Sequence, residues 1–114
     1  MVEIVIYYTD ECPICKQIMR ILEVEFPHDV IKRVEVNRMR DYARFMRTIA
    51  RHKDIGPGVP LIVVDGEYYI RPPNFEALFG IKGLRTEDEP LLMEEIEWII
   101  NTIRMIKKRK GDVV

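Results

Sequence analysis

The chain opens on Val2-Glu3-Ile4-Val5-Ile6-Tyr7-Tyr8, a β-branched and aromatic run that reads as a buried strand. From Pro13 the period lengthens. Ile14, Ile18, Ile21, Leu22, Val24 and Phe26 recur at helical spacing, with Pro13 tolerated in the first turn and Pro27 marking the end. Ile31 to Val36 has the length and valine content of a second strand. Met39 to about His52 predicts a second helix, with Met39, Tyr42, Ala43, Met46, Ile49 and Ala50 on one side and Arg40, Arg44, Arg47 and Arg51 on the other, read as a solvated face or as a stripe that receives an acidic partner or a glutathione carboxylate. Gly56-Pro57-Gly58 breaks the pattern. Asp65-Gly66 then stands between Leu61-Ile62-Val63-Val64 and Glu67-Tyr68-Tyr69-Ile70, a strong hairpin signal.

Further on, Asn74 is placed to cap a short helix through Leu78 and Phe79 that ends at Gly80. Thr86 opens a capping box with Glu89, and the helix that follows is expected over about 87–109. Leu92, Ile96, Ile99, Ile103 and Ile106 form its stripe, spaced alternately by four and three residues. That stripe suits packing on the sheet, and it equally suits pairing with a second copy of the chain. Lys107-Lys108-Arg109-Lys110 is expected to complement the helix dipole and fray. The resulting order, βαβαββα with a long last helix, belongs to the α/β class: a central mixed four-stranded sheet flanked by helices. No repeat or linker interrupts it, so residues 1–114 are expected to form a single domain.

Composition narrows the function classes. The 114 residues are 47% hydrophobic and 32% charged with a net charge of −1, which argues against disorder and against a general nucleic-acid surface. No apolar run approaches the roughly 18 residues of a membrane span. The N-terminus shows neither a basic region nor a cleavage-site pattern, so a cytoplasmic protein is expected.

In that reducing compartment the two cysteines of the chain, in Cys12-Pro13-Ile14-Cys15, carry the chemistry. They stand where the first strand hands over to the first helix. A helix N-terminus stabilises a thiolate through unpaired N–H groups and the macrodipole, which makes Cys12 the nucleophile and Cys15 the residue that resolves a mixed disulfide. A structural staple is a poor account, because crosslink stabilisation grows with the loop closed and this loop is very short. Metal within one chain is also poorly served, since only His28 and His52 accompany the pair, at no zinc-site spacing. An iron–sulfur cluster or metal shared between two chains through Cys12 and Cys15 remains an alternative. So does a redox-sensing interaction domain that dimerises through the last helix.

Cys12-Pro13-Ile14-Cys15 after the first strand, with Val59-Pro60 entering the third, resembles the thioredoxin fold, and the short Asp65-Gly66 hairpin looks most like glutaredoxin. The resemblance covers about residues 2–80. It implies a thiol–disulfide oxidoreductase without a bound cofactor, with glutathione as a possible co-substrate. It also implies a cis peptide bond before Pro60, and that the Val59 backbone pairs with an extended disulfide partner. Protein disulfides would be the substrates, and a reductase or glutathione the electron donor.

The residues expected to contact substrate are Pro13, Lys16, Val59, Pro60, Arg71 and Asn74. Pro13 lies between the sulfurs. Lys16 offsets the carboxylates of Asp10 and Glu11, which occupy a stretch where many glutaredoxins carry a lysine. Arg71 and the helix capped by Asn74 are placed to meet a substrate carboxylate, in a segment where the family has Gly-Gly and a nearby Asp but this chain reads Ile70-Arg71-Pro72-Pro73-Asn74-Phe75.

Overall fold

The first hydrophobic run forms β1 (Glu3–Tyr8), the strand around which everything else is arranged. The computed structural model describes residues 1–10, 12–36, 39–51, 59–71 and 93–111. After β1 come α1 (Pro13–Glu25), β2 (Val30–Glu35), α2 (Met39–Ala50), β3 (Leu61–Val64), β4 (Tyr68–Ile70) and α3 (Met93–Arg109). The expected helix at Asn74, the capping box at Thr86, the break at Gly56-Pro57-Gly58 and His52 lie outside the described residues. The sheet is mixed, in the order β2-β1-β3-β4. β1 runs parallel to β2, which requires a crossover that α1 supplies, and antiparallel to β3, which turns back into β4. Among the described residues no helix is long and apolar enough to cross a membrane.

Strand alternation divides the core into two layers. Ile4 and Ile6 stand opposite Val64 and Ile62, and Ile62 opposite Ile70, so these side chains share one face. There they join Ile18, Leu22, Ile99 and Ile103 of α1 and α3, two helices that touch each other. Ile4, Ile6, Ile18, Leu22, Ile62 and Ile103 are completely buried. At about 1.5–3 kcal/mol per buried aliphatic side chain, this layer outweighs surface ion pairs at about 0–1 kcal/mol each, such as Lys32 with Glu3.

Val5 and Tyr7 point to the other face, where α2 packs. The Phe45 ring lies 5.4 Å from that of Tyr7, tilted by 50°, and the Tyr7 hydroxyl lies 3.2 Å from Thr48 Oγ1. This differs from the expected orientation of α2. Phe45 is its buried residue, while Tyr42 and Met46 are 53% and 41% exposed. The ring and hydroxyl that Tyr7 offers select Phe45 and Thr48 as the inward positions, and the helix is turned accordingly. Arg44, Arg47 and Arg51 are exposed, as a solvated face requires, and they also line an open cleft over the sheet.

The hairpin turns where expected. Asp65 and Gly66 have φ of 51° and 68°, the sign a type I′ turn requires at both central positions, and the Glu67 N–H closes onto the Val64 carbonyl at 3.1 Å. Asp65 does more than turn the chain. Its N–H donates to the Glu3 carbonyl at 2.8 Å, and its Oδ1 accepts the Glu3 N–H at 2.7 Å, so the turn is tied to the start of β1.

Three basic side chains of α3 and the turn that follows it close the same end of the molecule. Arg104 pairs with Glu25 at 3.0 Å, Lys107 with Asp29, and Lys110 with Asp65 at 3.1 Å. Asp29 also accepts the Val2 N–H at 2.9 Å through Oδ1. The side chains of Lys107 and Asp29 are 7% and 2% exposed, and the Lys107 ammonium lies 5.4 Å from the centre of the Phe26 ring. The basic tail expected to fray is therefore built into the fold. Ile99, Ile103 and Ile106 are buried within the chain, and the large apolar side chains that α3 exposes are Met93, Trp98 and Met105.

Removing one partner of a buried ion pair strands the other charge, at a cost of about 3–5 kcal/mol. Lys107→Met is expected to lower the unfolding free energy by about 3 kcal/mol in urea titrations, with Asp29→Asn in the same chain recovering part of the loss. Equal stability of Lys107→Met and the parent would refute a structural role for the pair.

The Asp65 carboxyl is held below its ordinary value by the Glu3 N–H, an effect partly opposed by burial and reinforced by Lys110. A depressed carboxyl stabilises the fold above its unfolded value and loses that contribution as pH falls through the folded one. The Lys110 ammonium is raised, first by Asp65 and then by Glu67, so its contribution persists from acid to neutral pH and disappears only as alkali passes the raised value. Between pH 5 and about pH 3, the thermal midpoint of Asp65→Asn should therefore fall less than that of the parent.

Candidate active site

Cys12 is the N-cap of α1. Its backbone is extended, with φ −101° and ψ 101°, and its N–H donates to the Thr9 carbonyl at 3.2 Å. The Cys12 carbonyl accepts the Lys16 N–H at 3.3 Å, opening the helical ladder. Pro13 fills the first helical position, where a missing N–H costs nothing. A Ser, Thr or Asp at an N-cap offers an oxygen to a first-turn N–H; here Cys12 Sγ does so, accepting the Cys15 N–H at 3.1 Å. No acidic side chain competes from within that first turn.

The two sulfurs are joined in a disulfide, with the Cα atoms 5.2 Å apart, inside the ordinary range. Spacing by one helical turn makes this possible without moving the backbone. Cys15 is completely buried and Cys12 is 9% exposed, so an incoming group meets Cys12 first. Asp10 and Lys16 are both exposed nearby in sequence, while Glu11 lies outside the described residues.

The peptide bond between Val59 and Pro60 is cis, as the resemblance implied. Both residues are buried. Leu61 pairs with Tyr7 at the last step of the antiparallel β1–β3 register, and Val59-Pro60 leads directly into Leu61. The sheet thus brings Val59-Pro60 to the end of β1 that leads into Cys12. Arg71, expected to reach a substrate carboxylate, donates from Nη1 to the Pro60 carbonyl at 3.1 Å. That link between the end of β4 and the proline has no local signature in the sequence, because it joins residues eleven apart through the hairpin. Asn74 lies outside the described residues.

Among the described residues, no group of three or more His, Cys, Asp or Glu side chains converges on one point. His28 is exposed in the turn after α1. No protein-family model matches the chain, and no curated protein sequence is significantly similar to it.

The difference in access between the sulfurs is measurable. After reduction and brief exposure to limiting iodoacetamide, fragment-ion mass spectrometry should find Cys12 alkylated at least about tenfold faster than Cys15, since thiol reactivity follows thiolate character and exposure. Equal labelling would show that the N-cap position confers no advantage on Cys12.

Proposed function

We propose that this chain is a thioredoxin-like thiol–disulfide oxidoreductase of the glutaredoxin type. The observation that carries the reading is the Cys12 sulfur at the N-cap of α1, accepting the Cys15 N–H and bonded to the buried Cys15 sulfur. Sheet order and the cis bond before Pro60 at the same end of β1 support it.

In the forward direction the Cys12 thiolate attacks one sulfur of a substrate disulfide. A Cys12–substrate disulfide forms, and the other substrate sulfur leaves as a thiolate. The Cys15 thiol then passes its proton to the departing substrate thiolate and attacks Cys12 Sγ. The Cys12–Cys15 disulfide forms and the second substrate sulfur departs, so the substrate has gained two electrons and the protein has lost two. Two thiol equivalents from glutathione or a reductase restore the dithiol.

The protein contributes position and charge. The Cys15 N–H and the start of the α1 dipole stabilise negative charge on Cys12 Sγ, both when it attacks and when it later leaves. Burial of Cys15 keeps its sulfur from solvent while its place one turn on keeps it within reach of Cys12. The Val59 backbone holds an extended segment of the substrate beside the sulfurs, and Arg71 steadies the proline that follows through the Pro60 carbonyl. Protein disulfides and glutathione disulfide are both suitable substrates.

Equilibration in glutathione buffers, followed by acid quenching, alkylation and intact mass measurement, should show a reversible two-electron transition between about −270 and −120 mV, the span of known dithiol catalysts. Cys15→Ser should accumulate a mixed disulfide with glutathione on Cys12, and Cys12→Ser should form none. A pair that stays reduced throughout, or resists alkylation until a chelator is added, would replace exchange chemistry with metal or cluster binding.

A further inference from the structure

Away from the cysteines, on the face of the sheet covered by α2, an open cleft of about 250 Å³ lies between that helix and the strands. Its floor is made by Val5, Tyr7 and Val63, and Arg44, Arg47 and Arg51 line its α2 side. Among the described residues every hydroxyl hydrogen in the cleft is already committed. The Thr48 hydroxyl donates to the Arg44 carbonyl at 3.0 Å, which leaves the Tyr7 hydroxyl as the donor to Thr48 Oγ1 at 3.2 Å. The Tyr69 hydroxyl donates to the Gly66 carbonyl at 3.3 Å. Among the described residues the one carboxylate on the lining, Glu3, is paired with Lys32 at 2.8 Å.

Among the described residues the three guanidinium groups are thus the side-chain donors that remain. Among the described residues no carboxylate lies within ion-pair distance of any of them. Their spacing of three and four residues puts like charges on adjacent turns, which destabilises an isolated helix by about 0.2–0.5 kcal/mol per pair. From Arg44 to Ala50, the last helical residue before Arg51, the helix rises about 9 Å. A concave surface with a neutralised acid, saturated hydroxyls and three unsaturated planar forks is complementary to a ligand that only accepts hydrogen bonds. The ligand must also carry negative charge at more than one point along its length.

We propose that this cleft binds a small anion bearing two or more linked phosphate groups, held by bidentate hydrogen bonds from Arg44, Arg47 and Arg51. Such forks match phosphate oxygens in pairs, and one phosphate alone cannot span the three. Because the cleft lies on the sheet face opposite α1, binding is independent of the oxidoreductase reading and survives loss of the thiol.

The probe is inorganic pyrophosphate, titrated at constant ionic strength into the full-length protein and followed by amide chemical shifts and calorimetry. Saturable binding with Kd below about 1 mM is expected, centred on α2, Tyr7 and Tyr69, and unchanged in Cys12→Ser. Arg47→Gln should weaken it about tenfold or more, as expected for loss of a charge-assisted pair, and Arg44→Gln with Arg47→Gln should abolish it. Both side chains are exposed, and an unchanged thermal midpoint confirms that these variants fold. Non-saturating shifts, equal affinity for citrate or for an oligoglutamate peptide, or an Arg47→Gln variant that binds like the parent would each overturn the assignment.

Discussion

β1 is hydrogen-bonded along both edges and covered on both faces, and the rest of the molecule follows from that constraint. Its partners β2 and β3 satisfy the backbone, and Ile4 with Ile6, and Val5 with Tyr7, fill the two layers. A slip of one residue would exchange these faces, pushing Glu3 and Tyr7 toward α1 and α3, so the register admits no alternative of comparable energy. A fixed register also fixes where the strand ends. The chain leaves β1 toward Cys12 at the level where β3 begins after Val59-Pro60, and the two segments meet at one sheet end without any direct bond between them being required.

Opposite ends of the sheet serve different purposes. At the far end α3 is fastened by charge, with Arg104, Lys107 and Lys110 each meeting an acid from a different part of the chain: the end of α1, the turn before β2 and the hairpin. Burial of the Lys107 and Asp29 side chains separates that pair from the others, because a desolvated charge must keep its partner, whereas an exposed one has water. Asp65 joins the two devices, since one carboxylate receives the Glu3 N–H and the Lys110 ammonium while its own backbone makes the turn. The near end carries Cys12. Cys12 is held by helix geometry, and its sulfur accepts an N–H that the helix would otherwise leave unsatisfied. On the proposed chemistry this N–H strengthens whenever Cys12 carries charge, because hydrogen bonds to ionised acceptors are roughly twice as strong as those to neutral ones.

Much of this was readable along the chain because it is local. The Cys12-Pro13-Ile14-Cys15 spacing, the strand before it, the helical period after it and the Asp65-Gly66 turn each depend on residues within a few positions of one another, and all appear where expected. Two readings failed for a common reason. The apolar stripe of α2 was drawn without Phe45, yet Phe45 and Thr48 meet Tyr7, which offers a ring and a hydroxyl from more than thirty residues earlier, while Ile49 of that stripe does pack against the core. Lys107 and Lys110 were assigned to a fraying terminus. They continue the spacing of Ile99, Ile103 and Ile106, which was the available signal that they face the body.

The sequence by itself therefore determined the element types, the hairpin and the place of Cys12 at a helix start, since periodicity, turn chemistry and capping act over a few residues. Only the tertiary structure decided which face of α2 meets the sheet, which acids receive the basic end of α3, and that Arg71 reaches the Pro60 carbonyl. Those choices depend on what a distant segment presents, and that becomes defined only when the sheet has set its register.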